Sequence, residues 1–171
     1  TTKNHGIEVD DTMQKPGNPA VYAAGDVADT PFQLTPVSAM EGKVAARNIL
    51  GLGPARADYS SVAFGVFTSP PLASVGKGEK KLKDEGIRYK THYHDMSGWF
   101  SSRRMNFKRA AAKVLEEEDT GRILGAHLYG PNVDEAINLF ALAVRYKLSA
   151  GDLKSMPFAY PTVGSDIGYM V

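Results

Sequence analysis

Apolar positions along the chain follow two spacings, and each stretch of one spacing predicts an element. Val21, Tyr22 and Ala23 form a short apolar run that ends in Ala24-Gly25-Asp26, which predicts a buried strand over 21–24 closed by a turn. Val37, Met40 and Val44 then recur at helical spacing. Thr35 as N-cap and Pro36 at the first helical position open that helix, and Gly51 stops it near Leu50. Residues 1 to 20 are polar, with turns at Asp10-Asp11 and Pro16-Gly17-Asn18-Pro19 around Ile7 and Val9.

Gly51-Leu52-Gly53-Pro54 reads as a linker, and a second region starts near Tyr59. Val62, Phe64 and Val66 alternate as in a half-buried strand until Pro70-Pro71 interrupts, and Leu72 to Val75 reads as a further short strand. A charged helix runs from about Lys77 to Glu85 and ends at Gly86. Ile87 to His94 and Ala110 to Glu116 read as strands, with Thr120-Gly121 as a hairpin tip returning through Ile123 to Tyr129. Gly130-Pro131-Asn132 turns into what reads as the longest helix, Val133 to Lys147, with Ile137, Phe140, Ala141 and Val144 on one face. Ser149 to Leu153 makes a short turn or helix. Strands followed by a helix on one face predict an α+β fold, an antiparallel sheet with helices packed on one side.

Composition narrows the function classes. A length of 171 residues supports one good core, or one domain plus part of another. Lys and Arg number 20 against 19 Asp and Glu, a net charge of +1, which argues against nucleic acid or a membrane surface as partner. No apolar run approaches the ~20 residues of a membrane span, and no signal-peptide pattern opens the chain. Cysteine is absent, so disulfides, thiolate metal sites and thiol redox chemistry are excluded within these residues. Cytoplasm is the default compartment.

Gly25-Asp26 alone is a turn, but Leu34-Thr35-Pro36 follows shortly as a helix start. A helix N-terminus offers free N–H groups and positive partial charge to an anionic or carbonyl-bearing ligand edge. Ala23-Ala24-Gly25-Asp26 with Leu34-Thr35-Pro36 resembles the second FAD motif of the two-dinucleotide-binding flavoproteins. Phe67-Thr68-Ser69-Pro70-Pro71-Leu72-Ala73-Ser74-Val75-Gly76 and Tyr160-Pro161-Thr162 narrow the resemblance to the glutathione reductase-like pyridine nucleotide-disulfide oxidoreductases. It covers nearly the whole chain and the C-terminal part of the family enzyme. The resemblance implies an end segment of an α/β FAD-binding domain over 1–55 and a dimerisation domain over 59–171.

The same resemblance assigns cofactor-binding residues. Asp26 would meet the ribityl part of FAD after the Gly25 turn, and the backbone of Leu34 and Thr35 would face the flavin edge where negative charge gathers on reduction. NAD(P)H would be the co-substrate of the whole enzyme. No G-x-G-x-x-G phosphate loop occurs, and Gly76-Lys77-Gly78-Glu79 is only a lookalike turn, so the chain alone is expected to hold no FAD. The family's redox cysteines and nicotinamide site would lie in N-terminal FAD and NAD(P) domains outside these residues. The expected partners are those domains and a second copy of the chain. The expected function is a share of the FAD site and the dimer interface of an FAD-dependent NAD(P)H:disulfide, or other acceptor, oxidoreductase. The alternative is a non-catalytic dimerisation or protein-binding module.

Tyr160-Pro161-Thr162 stands where the family has His-Pro-Thr, whose histidine serves the partner subunit as acid-base, held by a nearby glutamate. Here Tyr160 replaces the histidine, and Ser165-Asp166 occupies the glutamate region, making Tyr160 and Asp166 the candidate catalytic pair. Tyrosine ionises near ~10 and is a poor base at neutral pH, although it donates a hydrogen bond well. A buried aromatic beside a turn is the competing reading for Tyr160.

His92 and His94 share a strand face without a third ligand, so no metal site is expected; His127 reads as a core or interface residue, and His5 lies in the polar leader. Arg103, Arg104, Lys108, Arg109 and Lys113 are followed by Glu116 to Asp119, which cancels their charge and predicts a solvated sheet face.

Overall fold

In the computed structural model, which describes residues 2, 3 and 6–171, the chain divides into two units, Thr1–Tyr59 and Ser60–Val171. His5 lies outside the described residues.

In the first unit, β1 (Thr2–Lys3) pairs antiparallel with β2 (Gly6–Ile7), and Ile7 bridges to Ala28. The expected strand over 21–24 is reduced to one antiparallel bridge, Gln14 to Tyr22. The turn at Pro16–Pro19 folds this segment back on its neighbour at once. The Lys15 N–H takes the Val21 carbonyl at 2.9 Å and the Ala23 N–H takes the Met13 carbonyl at 3.1 Å, so the ladder has no length to grow.

A 3-10 turn at Gly25–Val27 leads to α1 (Thr35–Ile49), which starts one residue before the expected position. The Ser38 N–H closes on the Leu34 carbonyl at 2.9 Å, so Leu34 is the N-cap and Thr35 is already helical. Gly51, at φ +64°, follows the helix end at Leu50 as anticipated. Met13 packs with Val44 and Ala45 at the centre of this unit, flanked by Val9, Tyr22, Ala55 and Ala57. Asn48 clamps the segment beyond α1, donating to the carbonyls of Thr12 and Ala55, each at 2.9 Å.

The second unit is a five-stranded antiparallel sheet in the order β3-β4-β7-β6-β5. Its strands are β3 (Ala63–Val66), β4 (Leu72–Gly76), β5 (Tyr89–Asp95), β6 (Ala111–Glu117) and β7 (Ile123–Tyr129). Between β4 and β5 lies α2 (Glu79–Asp84), and α3 (Phe100–Arg104) joins β5 to β6. The chain ends with α4 (Val133–Arg145), α5 (Ala150–Ser155) and α6 (Val163–Met170).

Alternation sorts the two sheet faces. Ala73, Val75, Ala112, Val114, Ala126 and Leu128 point toward α4 and α6, where they bury Ile137, Phe140, Ile167 and Met170. Gly125 allows a close crossing, since a Cβ there would lie 2.2 Å from the Lys77 carbonyl oxygen.

Three expectations change. The longest helix is α1, of 15 residues; α4 has 13, because Tyr146 ends it and Lys147 turns to φ +56°. The basic group is not a sheet face: Arg103 and Arg104 sit on α3, Lys108 and Arg109 in the segment after it, and only Lys113 on a strand. The short helices α3 and α6 were not anticipated. α6 is opened by a reciprocal cap between Thr162 and Ser165, a pairing weaker in sequence signal than the usual Ser/Thr with Glu. No helix among the described residues is long and apolar enough to cross a membrane.

Candidate functional site

Gly25 is buried at φ +75°, a conformation that disfavours a side chain, and a Cβ there would meet the Ser38 hydroxyl at 3.2 Å. The turn is thus pressed against the first part of α1. Its backbone N–H donates to Glu41 Oε2 at 2.7 Å, and the Tyr59 hydroxyl donates to Glu41 Oε1 at 2.8 Å. Glu41 is fully buried. A buried carboxylate is stable only when such donors satisfy it, and here two do. Burial, reinforced by the bond to Glu41, raises the Tyr59 phenol above the usual tyrosine range.

Sequence reasoning missed Glu41. The signal was present: Glu41 continues the Val37–Val44 stripe that faces the interior of α1, where an acid needs a partner.

Asp26 itself is exposed beside this anchored turn. Leu34 caps α1 without a side-chain bond, and its apolar side chain offers no acceptor to the first helical N–H groups. These groups fit a flavin: the exposed Asp26 carboxylate can accept from hydroxyl donors, and the uncapped N–H groups of Thr35 and Val37 can meet an electron-rich carbonyl edge, Pro36 between them having none.

In the second unit Tyr160 is 78% exposed and its ring stacks on Phe100, with centroids 6.4 Å apart and an interplanar angle of 26°. It is not the buried aromatic of the competing reading. Asp166 points elsewhere, accepting the Ser101 hydroxyl, so α6 is tied to α3. Burial raises the Asp166 carboxyl above the usual carboxylate range, against the opposing pull of that bond. No hydrogen bond joins Tyr160 to Asp166 among the described residues.

The histidines separate. His92 Nε2 meets Glu116 Oε2 at 2.7 Å, His94 packs its ring on Trp99, and His127 Nδ1 is bonded to the Ser74 hydroxyl on the opposite sheet face. Among the described residues, no three metal-ligating side chains gather.

The second unit is thus an antiparallel sheet covered by helices on one side, with an exposed apolar face on the other. Residues 62–171 match the family model described as "Pyridine nucleotide-disulphide oxidoreductase, dimerisation domain", and the chain belongs to that family. It is similar to an uncharacterized 19.7 kDa protein of the mercuric resistance operon of Staphylococcus aureus, 44% identical over 170 residues, covering 99% of this chain and 94% of that protein. It is also 34% identical over 165 residues to the mitochondrial dihydrolipoyl dehydrogenase of Sus scrofa, covering 92% of this chain and 32% of that enzyme. The fold is shared with the HOCl-induced flavoprotein disulfide reductase RclA of Escherichia coli, at TM-score 0.85 and 24% identity, over 99% of this chain and 39% of RclA. The chain thus spans about a third of the dihydrolipoyl dehydrogenase and corresponds to the C-terminal region of the family enzyme.

Proposed function

We propose that residues 1–55 close the FAD-binding domain of an FAD-dependent NAD(P)H:disulfide, or other acceptor, oxidoreductase, and that residues 59–171 pair two copies of it. The observation that carries this reading is the anchored Gly25 turn, which presents Asp26 beside the uncapped start of α1. Glu41, itself bonded by Tyr59, holds the Gly25 backbone of that turn without any ligand, and Asp26 follows Gly25 directly. Asp26 would accept from ribityl hydroxyls, and the first N–H groups of α1, from Leu34 and Thr35 onward, would face the flavin edge. FAD, when bound, supplies electron transfer from NAD(P)H to the acceptor. Residues 59–171 would supply the surface for a two-fold pair, and Leu142 on α4 with Tyr146 at its end leaves exposed apolar area for it.

Tyr160 would enter the partner's site as a hydrogen-bond donor through its exposed hydroxyl, in place of the family's histidine. This favours an acceptor that needs no proton shuttle at that position over glutathione disulfide.

A second reading, a module that only pairs or binds, draws on the Staphylococcus aureus relative, of which this chain spans 94%. An upstream phosphate-loop motif in the same reading frame decides for the enzyme.

Purification and sedimentation of the chain test the division of roles. The expected preparation is colourless and dimeric at micromolar concentration. Stoichiometric flavin in it overturns the view that the pyrophosphate site lies elsewhere, and a monomer overturns the pairing surface.

A further inference from the structure

Arg103 and Arg104 end α3, Lys108 and Arg109 follow it, and all four are exposed. None of them makes an ion pair among the described residues. The loop that carries them is closed by its own backbone. Asn106 turns to φ +58°, and the Phe107 N–H takes the Ser102 carbonyl at 3.0 Å. Farther on, the Met96 N–H takes the Ala110 carbonyl at 2.8 Å, so Lys108 and Arg109 lie between two fixed points. Phe100 is 55% and Met105 39% exposed, so the cations border apolar area.

The acids that follow in sequence do not neutralise this group. β6 carries the chain from Ala111 to Glu117, about 20 Å at the rise of a strand, whereas salt screens exposed charges within about 8 Å. Glu116 also meets His92 at 2.7 Å, Glu117 accepts from Thr120, and Glu118 and Asp119 pair with Arg88. Nearer acids have other partners. Asp95 accepts the Ser97 N–H at 2.9 Å, Asp166 accepts the Ser101 hydroxyl, and Asp134 stands in the first turn of α4, whose positive end it complements. Glu135 lines a separate groove with Thr162. The C-terminal end of α3 favours basic residues and accounts for Arg103 and Arg104, but Lys108 and Arg109 lie beyond it.

We propose that Arg103, Arg104, Lys108 and Arg109, with Phe100 beside them, form a docking surface for a short acidic segment of a protein partner. A guanidinium takes a carboxylate through two parallel hydrogen bonds, and arginine clusters are a recurring means of holding acidic motifs. Phe100 would receive an apolar residue set between the acids. The extent of the patch favours a short segment over nucleic acid. A long polyanion would run past the cations toward Asp95, Asp134 and Glu135, where like charge repels it, and the chain's net charge of +1 offers no wider attraction.

The test is fluorescence anisotropy of a labelled peptide of about eight residues, Glu on both sides of one Phe, titrated with the full chain. The peptide should bind, and raising salt from about 50 to about 200 mM should weaken it at least about threefold. Reversing both arginines, Arg103→Glu with Arg104→Glu, should weaken it at least about tenfold, while Lys80→Glu with Lys83→Glu on α2, the same change in net charge, should cost less than about threefold. Should the arginine variant not fold by circular dichroism, Arg103→Gln with Arg104→Gln replaces it. No binding of the peptide, or equal losses in the two charge-reversed variants, overturns the proposal. Tighter binding of a single-stranded oligonucleotide of the same charge overturns the choice of partner.

Discussion

Tyr59 and Glu41 meet through one hydrogen bond of 2.8 Å, and that bond completes the anchoring of the Gly25 turn. Tyr59→Phe keeps the ring, which packs on Phe32 at 6.4 Å, and removes only the donor. One oxygen of a buried carboxylate is then left short, and a loss of about 1.5–3 kcal/mol is expected. Urea unfolding followed by far-ultraviolet circular dichroism measures it. The phenol's raised pKa makes the sign definite: Tyr59 contributes fully below the unfolded value near ~10, and the contribution is lost as pH rises through the folded one. In an ultraviolet titration one tyrosine should ionise late, and the variant should lose that step.

Asp166 is a half-buried acid held uncharged-prone by burial. Its folded pKa is raised, so its contribution is complete below the unfolded value of 3.8 and is lost as pH climbs through the folded one. Asp166→Asn keeps an acceptor for Ser101 without the charge. Thermal unfolding should show the variant equal to the parent at low pH and more stable at neutral pH. Solvent reaches the carboxyl, which limits the gain to under about 1 kcal/mol.

Tyr160 stacks on Phe100 in the open, so its hydroxyl is available to a partner. In the whole enzyme Tyr160→Phe should retain the stack. A fall in turnover of ~10²-fold or more would mark a donor role, and an unchanged rate would reduce Tyr160 to packing. Rapid reduction of glutathione disulfide by the unaltered enzyme would sink the reading that no relay operates here.

Gly125→Ala forces a methyl to within 2.2 Å of the Lys77 carbonyl oxygen, a backbone atom that cannot swing aside. Strands β4 and β7 must part locally, and a loss of about 2 kcal/mol or more is expected by denaturant titration. A variant within ~0.5 kcal/mol of the parent would show that the crossing relaxes freely.

Most strands of the sheet were legible because one face is buried and alternation reports that directly. Phe64 and Val66 alternate equally well yet remain exposed, because they belong to the face that no helix covers. The pattern states that a face is apolar, not what covers it. The Val21–Ala24 run misled for a related reason: apolar residues suit a strand, but hydrogen-bond partners decide its length. The motif singles out Asp26, Leu34 and Thr35 as candidates, whereas Glu41 lies outside it. Its role depends on Gly25 and Tyr59, which are 16 and 18 residues away in sequence. Asp166 was grouped with Tyr160 because it falls in the region of the family's glutamate, but its carboxyl accepts from Ser101 instead.

The interior of the first unit rests on Met13, Val44 and Ala45, while the sheet and its helices bury a far larger apolar interior. Native proteins open in cooperative pieces, and a piece with few buried apolar contacts opens at lower free energy. Backbone amides over 21–49 should therefore exchange hydrogen sooner than those of β6 and β7. Anything that grips Asp26 and the start of α1 would slow that exchange first and leave the sheet's protection almost unaltered.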